Sequence, residues 1–202
     1  MSNIGSYEQR LKGFDWSISE KELGYKKGDN INIGWYCTDR ICQLGNAKKM
    51  AFIWEDHKGN NKYYTYDDIR VLSNTFAAFF TKLGLKPGER ICIFMDRVPE
   101  LYMSFMGILK IGAIAQPLFS AFGDESLFTR LDNAKTSAVL TQKKHLPKVR
   151  KILAQLPELR HIIVVDAADS PLKEREVAFD MEKEPRVESF DVYPSTAETP
   201  SL

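Results

Sequence analysis

Several features that would classify a chain quickly are scarce or missing in these 202 residues. There are three cysteines, Cys37, Cys42 and Cys92, an odd set without metal-ligand spacing, which excludes a disulfide framework and reads as reduced thiols. The three histidines, His57, His145 and His161, lack the His/Asp/Glu spacing of a metal site or a catalytic triad, so no catalytic residue and no metal ligand is assigned. Neither charge dominates: 28 Lys and Arg stand against 27 Asp and Glu, which leaves no bulk field to gather nucleic acid or a charged membrane surface. The longest apolar stretch, Leu101 to Phe119, is interrupted by Lys110, Gln116 and Pro117 before it reaches the roughly 20 residues that a membrane span needs, and it is expected in the core. The polar start MSNIGSYEQR carries no basic stretch followed by an apolar run, so an unexported, cytoplasmic protein is expected.

Nucleotide loops are missing as well. In GILKIGAIAQPLF, residues 107 to 119, the two glycines stand at the spacing of a phosphate-binding loop, but Gly112 is followed by Ala113 and Ile114. A phosphate cradle needs Lys and then Ser or Thr at that point, in a loop with exposed backbone N–H groups. These glycines therefore read as structural: Gly107 lets a buried helix approach its neighbour, and Gly112 turns that helix into a strand at positive φ. Asp166 ends an apolar strand, as a ribose-binding acid does, but no G-x-G-x-x-G precedes it.

What is present is ordinary globular composition, 44% hydrophobic and 27% charged. From Met50 to Asp166 the hydrophobic period switches repeatedly. MAFIW and KYYTY around a polar turn predict a β-hairpin over 50–66. Thr65 with Asp68 resembles a capping box, and Ile69, Leu72, Phe76, Phe79, Phe80 and Leu83 continue at helical spacing up to Gly84. ICIFM at 91–95 has no polar side, the mark of a strand covered on both faces. A largely apolar helix at about 98–111, the strand GAIAQPL, the helix DESLFTRLDNA, the strand SAVLT, a basic helix at about 144–155 and the strand HIIVVD follow. Alternation of this kind predicts an α/β fold, a mostly parallel sheet with flanking helices and right-handed crossovers. Residues 167–202, rich in Glu, Lys, Pro and Ser, are expected to form a surface excursion, and the ending YPSTAETPSL reads as a cut chain.

One stretch stands out by charge. QKKHLPKVRK, residues 142–151, gathers Lys143, Lys144, Lys148, Arg150 and Lys151. It reads either as a solvated face or as a place where a phosphate-bearing ligand rests.

Taken together, FDW at 14–16, NIGWYCTDR at 32–40, YYTYDDI at 63–69, LGLKPGERICIFMDRVPELY at 83–102 and IGAIAQPLFSAF at 111–122 resemble the N-terminal part of AMP-forming acetyl-CoA synthetases, within the adenylate-forming superfamily. The resemblance runs from about Phe14 to Asp166, and where that family has His after Asp-Arg this chain has Ile41. It implies a family-type extension over residues 1–45, and over 46–202 the first part of an AMP-binding domain cut before its phosphate loop. It further implies ATP, Mg²⁺ and CoA as cofactors, acetate or another short acid as substrate, and small molecules as partners. Propionate or a medium-chain acid, or a non-catalytic binding module, are the alternatives. By the same resemblance Ser120, Ala121 and Phe122 lie beside the pantetheine channel, Phe122 having a packing role as its other reading, and Lys143, Lys144 and Lys148 lie near the CoA 3′-phosphate. Because the phosphate loop and the catalytic Lys of the family are not in this stretch, the 202 residues alone are expected to be inactive.

Overall fold

The structure, a computed structural model, describes residues 5–167 and 171–202. Two short helices, α1 (Tyr7–Lys12) and α2 (Trp16–Leu23), open it, and neither buries a residue. Helix α3 (Ile33–Cys37), capped by the Asn32 side chain, leads into α4 (Asp39–Ile41) and a wider π-type turn over Cys42–Asn46. Strands β1 (Met50–Glu55) and β2 (Asn61–Thr65) pair antiparallel as the alternation predicts.

Thr65 and Asp68 form the reciprocal capping box that starts α5 (Tyr66–Lys82), and Gly84 at φ +77° lies just past its end. Then follow β3 (Arg90–Phe94), α6 (Pro99–Lys110), β4 (Ile114–Pro117), α7 (Asp124–Asn133), β5 (Ala138–Thr141), α8 (Leu146–Ile152) with a 3₁₀ turn at Leu153–Gln155, β6 (His161–Val164) and β7 (Glu176–Ala178). Among the described residues the five strands from β3 onward form one parallel sheet in the order β4-β3-β5-β6-β7.

Strand residues alternate between two cores, because successive side chains leave a strand on opposite faces. Ile91, Ile93, Leu140 and Ile163 join Phe76, Phe80, Met103 and Ile108 of α5 and α6 on one side. Cys92, Phe94, Val139 and Ile162 join Leu127, Leu131, Leu146 and Val149 of α7 and α8 on the other. The result is a three-layer α/β architecture, and both faces of the sheet are dry, as the unbroken apolar run ICIFM requires.

The two glycines of the 107–119 stretch have the structural roles read for them. A Cβ on Gly107 would stand 2.7 Å from Phe76 Cβ and 2.9 Å from the Ser73 carbonyl, so α6 meets α5 only because that position is bare. Gly112 has φ +71°, and a Cβ there would overlap the Tyr193 ring.

Two expectations need correction. The segment after Asp166 is not a surface excursion: β7 extends the sheet, and Phe179 and Met181 are buried. Phe179 fills the gap over α5, its ring 4.1 Å from that of Phe76 and 4.8 Å from that of Phe79. The helix expected at 144–155 is shorter, because residues 143–145 form a turn and helical hydrogen bonding begins at Leu146. Helix α6 is largely apolar and packed in the core, as expected, with two polar side chains at its extremes of exposure. Tyr102 is 40% exposed, whereas Lys110, which seemed only to interrupt the apolar run, is fully buried.

Candidate functional site

The strand order sets the place to look. From β3 the chain moves to one side for β4 and then crosses to the other side for β5, so the connections leaving β3 and β5 diverge and open a crevice at the carboxyl ends of these strands. Three loops meet at that edge: residues 95–98 after β3, 118–123 after β4, and 142–145 after β5.

Asp96 ties them together. Its backbone N–H donates to Gln142 Oε1 at 2.9 Å, its Oδ1 lies 2.8 Å from His145 Nε2, and its Oδ2 accepts from Lys144 Nζ. These cationic and polar partners, first the Lys144 ammonium and then the Ser120 hydroxyl, hold the Asp96 carboxyl well below the usual carboxylate range. Lys148, on the first turn of α8, donates to the Ser120 carbonyl at 3.1 Å and the Phe122 carbonyl at 2.9 Å, and so fixes the loop after β4. Phe122 is half-buried, with the Arg130 guanidinium 4.2 Å over its ring.

Of the six residues singled out from sequence, Ser120, Ala121, Phe122 and Lys148 stand in one cluster, and Lys144 joins it through Asp96. Lys143 lies in the same turn, where its N–H donates to Asp166 Oδ1 at 2.6 Å. Ala121 is exposed at the tip of the loop. The basic stretch as a whole is not one anion-facing surface. Arg150 pairs with the buried Glu176 at 2.7 Å, and Lys151 pairs with Asp124.

Beside this cluster is a cleft of about 500 Å³ lined by Met95, Asp96, Arg97, Leu118, Phe119 and Ser120 among others. Asp96, Arg97 and Gln142 were not singled out by sequence. The available signal was their position, since polar residues directly after an apolar parallel strand fall in the crevice at its carboxyl end. The histidines stay apart: His145 engages Asp96, His57 lies in the β1–β2 turn and His161 begins β6. Among the described residues no group of three or more His, Cys, Asp or Glu side chains is placed to hold a metal ion, and no helix is long and apolar enough to cross a membrane.

The chain is similar to several known proteins. An acetyl-coenzyme A synthetase of Bacillus subtilis is 32% identical over 164 residues, which cover 81% of this chain and 28% of that protein. A 3-hydroxypropionyl-coenzyme A synthetase of Sulfurisphaera tokodaii is 29% identical over 168 residues, covering 76% of this chain and 26% of the relative. The crystal structure of a Brucella canis acyl-CoA synthetase superposes with a TM-score of 0.81 at 21% identity, over 96% of this chain and 34% of that one, which supports the fold. The chain thus spans roughly a quarter to a third of the length of the proteins it matches. The family model described as AMP-binding enzyme matches residues 43–200, and the chain belongs to that family.

Proposed function

We propose that this chain is the amino-terminal part of an AMP-forming acid–CoA ligase that uses acetate, with residues 1–45 as its extension and 46–202 as the first part of its AMP-binding domain. The observation that carries the reading is the similarity to acetyl-coenzyme A synthetases across about four-fifths of the chain. In such a ligase a carboxylate oxygen attacks the α-phosphate of ATP and expels pyrophosphate. The thiol of CoA then attacks the acyl carbon of the adenylate and AMP leaves, giving the thioester.

The residues present do not fit the ATP phosphates or Mg²⁺. The Gly107–Gly112 segment is a packed helix end, and the described residues hold no group of three or more His, Cys, Asp or Glu side chains placed for a metal ion. Those steps are therefore assigned to parts of the ligase outside this chain, and the 202 residues alone are expected to be inactive. The role left to this chain is to shape the approach of CoA. The small, exposed Ala121 keeps the loop after β4 low enough for a narrow thiol arm to pass. Lys148 holds that loop by its carbonyls, and Lys143 and Lys144 supply positive charge for the 3′-phosphate end, where an arriving phosphate competes with Asp96 for the Lys144 ammonium.

A slightly longer acid is the second reading, favoured by the similarity to a 3-hydroxypropionyl-coenzyme A synthetase. Acid-dependent exchange of pyrophosphate into ATP separates the two when a longer product of the same reading frame is assayed with acetate, propionate and 3-hydroxypropionate. Greatest kcat/KM with acetate is the expected result. A preference for one of the longer acids replaces acetate, and no exchange with any of them leaves a non-catalytic module of the same fold.

A further inference from the structure

The cleft beside Ser120 contains a cation that the reading above leaves unused. Arg97 is exposed on its wall, and among the described residues no acid or carbonyl accepts from its guanidinium. Its neighbours are committed elsewhere, Lys144 to Asp96 and Lys148 to two loop carbonyls. The backbone that carries Arg97 is nevertheless pinned. Trp54 Nε1 donates to the Arg97 carbonyl at 2.7 Å, the preceding N–H donates to Gln142 Oε1 at 2.9 Å, and the Val98 N–H returns to the Asp96 carbonyl at 2.8 Å. A guanidinium without a protein acceptor is available to an anion, and its planar fork matches phosphate oxygens in pairs.

The surroundings narrow the choice of anion. Besides Arg97 and Ser120 the lining holds Asp96, whose carboxylate is taken up by Lys144, and the apolar Met95, Leu118 and Phe119, of which Phe119 is 65% exposed. A bare inorganic ion leaves that ring uncovered, whereas a phosphate carried on a short branched apolar group covers it. The cleft volume of about 500 Å³ lies within the range of small-molecule sites.

We propose that Arg97 binds the 4′-phosphate of the phosphopantetheine arm of CoA, with the gem-dimethyl carbon one methylene away packed on Phe119 and the rest of the arm running past Ser120 and Ala121. This rests on the CoA reading given above. It adds a phosphate contact on the loop after β3, away from the basic stretch at 142–151.

Binding to the 202-residue chain tests it without any catalysis. Trp54 serves as the reporter in a Trp16→Phe, Trp35→Phe background, since the sequence has three tryptophans and this one touches the Arg97 backbone. Titrations use CoA, 4′-phosphopantetheine, pantetheine and inorganic phosphate. Phosphopantetheine is expected to bind about tenfold or more tightly than pantetheine and than inorganic phosphate, the scale of one charge-assisted hydrogen-bond pair. Arg97→Ala should remove that advantage and Arg97→Lys should keep part of it, both at unchanged melting temperature, whereas Lys144→Ala, which also gives up the ion pair with Asp96, should leave the advantage intact. Equal phosphopantetheine affinity in Arg97→Ala, with CoA still bound, overturns the Arg97 assignment and leaves the CoA reading standing. Inorganic phosphate binding as tightly as phosphopantetheine overturns the choice of ligand. Failure of the parent chain to bind either CoA or phosphopantetheine at millimolar concentration overturns both readings.

Discussion

Lys110 Nζ stands 2.7 Å from Asp39 Oδ2, with the lysine side chain wholly removed from solvent and the aspartate 14% exposed. The last turn of α6 is thereby ion-paired to α4, and Asn74 Oδ1 on α5 accepts from the same ammonium at 2.5 Å. Burial, opposed by the Asp39 carboxylate, pushes the Lys110 ammonium below its ordinary range. Around this pair Asn32 Nδ2 donates to the Leu109 carbonyl at 2.9 Å and the Tyr193 carbonyl at 3.1 Å. The segment before β1 and the segment after β7 are therefore fastened to the same helix end.

Removing one member of such a pair strands the other charge. Asp39→Ala is expected to cost about 3 kcal/mol or more, because a buried ammonium is left with neutral partners only. Lys110→Met should cost less, since a flexible apolar chain of similar length replaces the lysine and Asp39 can turn to water. The double replacement should cost less than the sum of the two. Urea unfolding of the three variants measures this, and strictly additive losses would mean that the two side chains do not interact.

Phe179 gives a second outcome in the region that the sequence placed on the surface. It is 1% exposed, stacked on Phe76 and edge-on to Phe79, so Phe179→Ala should destabilise the fold by about 3–5 kcal/mol. A loss under about 0.5 kcal/mol, the usual figure for a surface site, would return this segment to the surface.

Asp96 supplies a pH dependence with a definite sign. Its folded-state pKa is depressed below the ordinary 3.8, first by Lys144 and then by Ser120. The unfolded chain therefore binds the proton more readily, and the stabilisation is fully present above that ordinary value and lost as pH falls through the folded value. Because the side chain is 40% exposed, solvent screening reduces the contribution to about 1 kcal/mol or less. Asp96→Asn should lower stability at pH 7 and flatten its fall between about pH 4 and pH 2. Parallel acid curves for the parent and the variant would remove Asp96 from the account.

Much of the fold was legible because its signals are local. The capping box at Thr65 and Asp68, the apolar runs at 91–95 and 161–165, and the turning Gly112 each identify themselves within a few residues. Strand β7 was missed because three residues, Glu176–Ala178, are too few to show a period, and the surrounding Lys and Glu conceal them. The ion pair of Lys110 was not legible for a different reason: the partner that makes its burial tolerable lies far back in the sequence, on α4. The site divides in the same way. Ser120 and Phe122 sit on the loop after β4 and were singled out by resemblance, whereas Asp96 and Arg97 gain meaning only when the sheet brings the ends of β3 and β5 side by side.

We propose that the carboxyl edge of this sheet lies on the path of CoA and not on that of ATP or the acid. It is tested most directly by Ala121→Trp in a longer product of the reading frame that is active in pyrophosphate exchange. Ala121 is exposed in its turn, so the larger side chain should leave the melting temperature unchanged. Acid-dependent pyrophosphate exchange should stay near the parent's value, together with a raised KM for CoA or a thioester rate lowered about tenfold or more, as expected when the thiol is displaced from attack distance. Equal losses in both half-reactions, or a thioester rate that does not change, would contradict it.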